Sequence, residues 1–186
     1  MWDYREYLRI PRERVGLVIG EGGKVKKEIE RLTSTKITVS SDGEVIIEPK
    51  GELDDPLAVW KARDVIRAIA RGFSPEKAMD IVKKDLVLEI INLEEFLSTR
   101  KAITRQKARV IGREGKAKAK IEETTGTSIS IHGKTVSIIG QPEEVELARE
   151  AIIKLLRGSP HGSVYKYLER RKRELKGKKL LSMWEY

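Results

Sequence analysis

Apolar and polar residues along the chain follow two periods, which change at glycine and proline. Asp3 to Ile10 is strand-like, and Pro11 predicts a short helix that Gly20 stops after Ile19. From Lys24 the apolar residues Val25, Ile29 and Leu32 fall at helical spacing, with Lys26, Lys27, Glu28 and Glu30 expected to face water. Lys36 to Ser40 returns to a period of two, Ser41-Asp42-Gly43 predicts a turn, and Glu44 to Glu48 a second strand. Pro56 then suits the start of a long helix over 55–71.

The order strand, helix, helix, strand, strand, helix then returns. Leu86 to Asn92 predicts a strand, Arg100 and Lys116 begin helices, Ser128–His132 and Thr135–Ile139 predict strands, and Pro142–Leu156 a helix. Between the copies, Phe73 to Lys84 predicts a connecting helix, capped by Ser74 with Pro75 in its first turn. After Gly158-Ser159-Pro160 a last helix is expected from Ser163 to about Leu175, with Val164, Tyr167, Leu168 and Arg171 on one stripe. The final ten residues are expected to fray. The predicted organisation is a first module at 1–72, a connecting helix at 73–84, a second module at 85–158, and a C-terminal helix with a basic tail at 159–186.

Overlaying the chain on itself makes this a true repeat. A shift of 92 positions lays Val18-Ile19-Gly20-Glu21-Gly22-Gly23-Lys24 on Val110-Ile111-Gly112-Arg113-Glu114-Gly115-Lys116. It also superposes Lys26 on Lys118, Ile29 on Ile121, Glu30 on Glu122, Thr35 on Thr127 and Ile37 on Ile129. With small loop adjustments Val45 and Ile47 meet Val136 and Ile138, while Ala62 and Ile66 meet Ala148 and Ile152.

Composition adds the partner. Net charge is +9 with a pI of about 9.6, the footprint expected of a polyanion partner. No apolar run approaches the roughly 18 residues of a spanning helix, and Met1-Trp2-Asp3-Tyr4-Arg5-Glu6 lacks signal-peptide character, so no membrane association and a cytoplasmic location are expected. Cysteine is absent, which excludes disulfides and thiolate chemistry. Residues 1–72 carry 14 basic and 13 acidic side chains, so nearly all the excess charge lies beyond them. Within 97–134 ten basic residues face three acidic ones.

A helix-Gly-x-x-Gly-helix turn brings bare backbone close to a ligand, and the following helix aims its unpaired amides and positive dipole end at the same point. Such a turn suits a phosphodiester. Primary contact is expected at Gly112, Arg113, Glu114, Gly115 and Lys116, with Arg105, Arg109 and Lys118 nearby; Lys107 and Lys120 add to the surrounding charge. Secondary contact is expected at Gly20, Glu21, Gly22, Gly23 and Lys24, where Glu21 repels phosphate.

The paired V-I-G-x-x-G-K turns in this element order resemble the KH family. The resemblance implies an α+β fold of two tandem eukaryote-type (type I) KH domains, each a three-stranded antiparallel sheet with three helices on one face, followed by a C-terminal helix. It also implies clamping of single-stranded RNA by the turns and an aliphatic groove floored by positions such as Val110, Ile129 and Ile131, each also a natural core residue. Leu155 to Tyr165, the Ala70-Arg71-Gly72-Phe73-Ser74-Pro75 stretch and Ile111 to Lys116 are similar to the partner-of-Nob (Dim-two) family of small-subunit biogenesis factors, related to Krr. That likeness implies binding at the 3′ end of precursor 16S-type rRNA within a pre-small-subunit particle. It further implies a Nob-type endonuclease and the alpha subunit of archaeal initiation factor two as partners, with no cofactor. The first turn departs from eukaryotic relatives in keeping both Gly20 and Gly23, which leaves RNA and protein both open as that module's partner.

Three alternatives stay open. A Walker-type nucleotide loop is disfavoured because Val18 and Val110 stand where a glycine is needed, and Val25 and Ala117 follow the lysines in place of Ser or Thr. A metal-dependent hydrolase would need a carboxylate cluster, and Asp54-Asp55 reads better as a helix start, so no enzyme is expected. A KH factor in mRNA decay or translation control shares every feature above and differs in its cellular partners. A scaffold with incidental charge is the third.

Overall fold

The structure, a computed structural model, describes residues 4–51 and 55–183. Asp3 and Asp54, which the sequence assigns to the first strand and to an acidic pair, lie outside the described residues. The chain divides into two compact units, 1–88 and 89–186.

The first unit contains β1 (Glu6–Arg9), α1 (Arg12–Ile19), α2 (Lys24–Thr33), β2 (Thr35–Val39), β3 (Glu44–Pro49), α3 (Ala58–Ala70) and α4 (Pro75–Lys83). Its sheet runs β1-β3-β2, antiparallel throughout, with Leu8 and Val39 both opposite Val45. Alternation along β3 sends Val45 and Ile47 inward against Ile29, Ile37 and Ile66, all buried. Helix α3 begins where the Asp55 carboxylate accepts from the Leu57 amide at 2.8 Å and pairs with Lys61 at 3.0 Å, contacts that hold its carboxyl below the ordinary aspartate value. Helix α4 carries the expected Ser74 cap on the Lys77 amide and packs on α2 and α3, so the connecting helix belongs to this unit.

The second unit contains β4 (Val87–Asn92), whose first two residues precede the boundary, and α5 (Arg100–Ile111), α6 (Lys116–Thr125), β5 (Ser128–His132), β6 (Thr135–Gly140), α7 (Pro142–Leu156) and α8 (His161–Met183). Its sheet order is β4-β6-β5, the same as in the first unit. Helix α8 runs to Met183, past the end expected near Leu175. It lies along α6 and α7, buries Val164 and Leu168, and ties Lys179 to Glu143 at 3.5 Å. Those contacts offset Gly177, whose cost inside a helix is only about 1 kcal/mol.

The self-overlay positions are the two cores. Val18, Ile29, Ile37, Val45, Ile47, Ala62 and Ile66, and their counterparts Val110, Ile121, Ile129, Val136, Ile138, Ala148 and Ile152, are all at most 3% exposed. Each buried isoleucine or valine contributes about 1.5–3 kcal/mol, which accounts for the spacing that the repeat maintains. Thr35 and Thr127 repeat for another reason: each shares a 2.8 Å hydroxyl contact with the last helical threonine, Thr33 or Thr125, which in turn donates to the carbonyl of Ile29 or Ile121.

Candidate nucleic-acid interface

Gly112 ends α5 at φ 76°, ψ 171°, a conformation essentially confined to glycine, and a Cβ there would lie 2.6 Å from both the Cβ and the backbone nitrogen of Ala117. Gly115 opens α6 at φ 75°, and a Cβ on it would meet nothing within 4 Å. The first glycine is therefore required by space and by dihedral, the second by dihedral alone. The other turn has the same shape, with Gly20 at φ 74°, ψ 170° and Gly23 at φ 77°. The third position holds Gly22 in one turn and Glu114 in the other, and both sit in the left-handed region, at φ 58° and 55°.

No residue of either turn is buried, and no side chain caps the start of α2 or α6. The amide of Lys24 or Lys116 donates to the carbonyl of Glu21 or Arg113, and each helix still turns its positive dipole end towards the open turn, where an anion would approach. Around the second turn, Arg105 and Arg113 are exposed and have no carboxylate partner among the described residues. Lys116 pairs with Glu114 at 3.2 Å; both side chains are about three-quarters exposed, so the pair is weak and readily exchanged for phosphate. Lys24 and Glu21 are exposed at the first turn.

Four of the expected cations are otherwise engaged. Arg109 donates to the carbonyls of Leu155 at 2.7 Å and Ser159 at 2.5 Å, closing the C-terminal end of α7, so its guanidinium serves the fold as a structural clamp. Lys118 pairs with Glu122 at 3.4 Å, Lys107 donates to the Gly133 carbonyl at 2.7 Å, and Lys120 pairs with Glu169 at 3.7 Å. The clamp has a counterpart that the sequence reading missed. Arg14 donates to the carbonyls of Ile69 at 2.7 Å and Phe73 at 3.2 Å, again four residues apart at the end of the closing helix.

The expectation that Glu30 faces water is corrected as well. Glu30 accepts from the amide of Ile37 at 2.7 Å, and Lys26 donates to the Ile37 carbonyl at 3.0 Å. Glu122 does the same for the Ile129 amide at 2.7 Å. These are the edge strands β2 and β5, whose outward backbone groups have no strand partner. The groove floor is corrected in turn: Val110 and Ile129 are 0% and 3% exposed inside the core, because β5 alternation sends Ile129 under the helices. Ile131 is half-buried at the core margin and is the one of the three that reaches the surface. Among the described residues no cluster of His, Asp or Glu could hold a metal ion, and no helix is long and apolar enough to cross a membrane.

Two repeated sheets, each carrying helices joined by an open glycine turn, define a type I KH protein. The family model described as KH domain matches residues 5–68, and that described as eukaryotic type KH-domain (KH-domain type I) matches residues 87–173. The chain belongs to the family of two-KH proteins that includes archaeal Dim2p and the eukaryotic pre-rRNA-processing protein PNO1. It is 48% identical over 171 residues to KH domain-containing protein MJ0443 of Methanocaldococcus jannaschii, covering 92% of this chain and 75% of that protein. Pre-rRNA-processing protein PNO1 of Candida glabrata is 33% identical over 113 residues, covering 60% of this chain and only 43% of PNO1. A chain in the crystal structure of the a/eIF2alpha-aDim2p-rRNA complex from Pyrococcus horikoshii OT3 superposes with a TM-score of 0.87 at 52% identity, covering 94% of this chain and 97% of that one.

Proposed function

We propose that the protein binds the 3′ region of precursor 16S-type rRNA during small-subunit biogenesis, holding single-stranded RNA by its backbone over the Gly112–Gly115 turn. The observation that carries this reading is the open second turn, where the start of α6, with no side-chain cap, stands beside the unpaired Arg113. The match to the Pyrococcus horikoshii complex supports rRNA as ligand and the alpha subunit of initiation factor two as a partner. A Nob-type endonuclease is the cleaving partner in this scheme, within a cytoplasmic pre-small-subunit particle, and this chain acts by binding without catalysis of its own.

Full-length protein with Arg113→Asp and Glu114→Asp should lose RNA affinity at least tenfold more than protein with Glu21→Asp and Gly22→Asp, an order-of-magnitude expectation from placing carboxylates against phosphate. Fluorescence anisotropy on a single-stranded 3′-end rRNA oligonucleotide reads this directly. Equal losses at the two turns would reject the second as the primary clamp.

A further inference from the structure

We propose that the cleft between α7 and α8 is a second phosphodiester site, over which an RNA strand held at the second glycine turn continues. The cleft measures about 550 Å³ and is lined by Lys154 of α7 and by Ser163, Lys166, Tyr167, Arg170 and Arg173 of α8. The α8 residues recur at helical spacing and form one stripe. Tyr167 gathers charge from both helices: Lys154 Nζ lies 4.6 Å and Arg170 Cζ 5.9 Å from its ring centroid. Its hydroxyl donates to Glu150, which fixes the ring.

These cations lack counter-charges. Among the described residues none of Lys154, Lys166, Arg170 and Arg173 has a carboxylate at ion-pair distance, whereas elsewhere on α8 Arg171 pairs with Glu174 at 2.7 Å and Lys179 with Glu143 at 3.5 Å. The one acid lining the cleft, Glu169, is engaged at 3.7 Å by Lys120 of α6. Four like charges lining one cleft, two of them at the Tyr167 ring, repel each other, and a polyanion relieves that repulsion. The Lys120–Glu169 pair also connects the cleft to the clamp, since Lys120 lies one turn along α6 from Lys116, about 6 Å of helix rise. The exposed hydroxyl of Ser163 adds a neutral donor suited to phosphate oxygen.

This site rests on the reading that the second turn holds RNA, and the test separates the two. Full-length protein, Lys166→Gln/Arg170→Gln/Arg173→Gln and Arg113→Asp/Glu114→Asp are titrated with single-stranded RNAs of about four and about twelve nucleotides. The triple variant should keep its affinity for the shorter RNA, lose about tenfold on the longer one, and show a salt slope shallower by about two. The turn variant should weaken on both RNAs. A triple variant that binds the longer RNA like the unaltered protein, with the same salt slope, overturns the cleft whatever the turn variant does. A turn variant that binds both RNAs normally removes the clamp reading instead. Loss of a polyglutamate peptide with RNA binding intact would give the cleft to an acidic protein and also overturn the proposal. Crosslinking the unaltered protein to 4-thiouridine RNA covers the case of a misfolded variant: adducts are expected within 160–173, and adducts confined to 112–118 would count against the site.

Discussion

The two glycine turns have nearly the same backbone and opposite electrostatics. Their flanking glycines agree within a few degrees, yet one turn presents Glu21 and the other Arg113. Around the first turn the arginines are engaged internally: Arg12 pairs with Asp42 at 2.7 Å, Arg31 with Glu28 at 2.8 Å, and Arg14 clamps α3. Around the second, Arg105 and Arg113 have no such partner among the described residues. Shape and charge are therefore separable. The shape is fixed from beneath, by a first glycine pressed against Val25 or Ala117, while the outward residues are free to diverge.

The comparison can be broken most forcefully at those first glycines. Gly20→Ala and Gly112→Ala should each destabilise their own unit by about 3 kcal/mol, through left-handed strain and collision with the next helix. Denaturant unfolding should give similar losses for the two; a mild effect in one unit alone would mean that the shape is not a shared requirement. Next come the clamps, where Arg14→Ala and Arg109→Ala should each cost about 2 kcal/mol by stranding helix-end carbonyls. RNA affinity of the folded Arg109→Ala protein should stay within about twofold, since a structural clamp carries little of the phosphate contact. The smallest effect sharpens the comparison at the third turn position. Glu114→Gly should stabilise by about 1 kcal/mol and Gly22→Glu should destabilise by a similar amount, because only glycine is unstrained there. Thermal melts that move in the same direction for both would contradict the shared geometry.

Element order and core were legible because the same buried positions recur at a constant offset, and burial tolerates little change. The open turns were legible as glycines at fixed spacing. The clamps were not. Arg14 lies six residues before its turn and Arg109 three, so the overlay set Arg14 on Gln106 and concealed a function performed from adjacent helical turns. Counting basic residues around Gly112 also gives no sign of which of them are engaged within the fold. Ion pairs such as Lys118–Glu122 depend on which acid folds back against which base, and composition does not record that. The recurrence of Lys26-Glu30 as Lys118-Glu122 did carry a signal, since exposed residues with no task seldom repeat together. The length of α8 escaped because its last turns are held by contacts with α7 that its own sequence does not contain.

Glu30 and Glu122 have a consequence for how the molecule behaves in a crowd. A bare sheet margin is a template on which a neighbouring chain can lay down another strand, and such accretion is the first step towards fibres. Here the midpoint of one margin of each sheet, along β2 and β5, is already occupied by a carboxylate from the protein's own helix. A newcomer would have to dislodge a charged hydrogen bond before it could pair along β2 or β5, which guards those two margins against added strands.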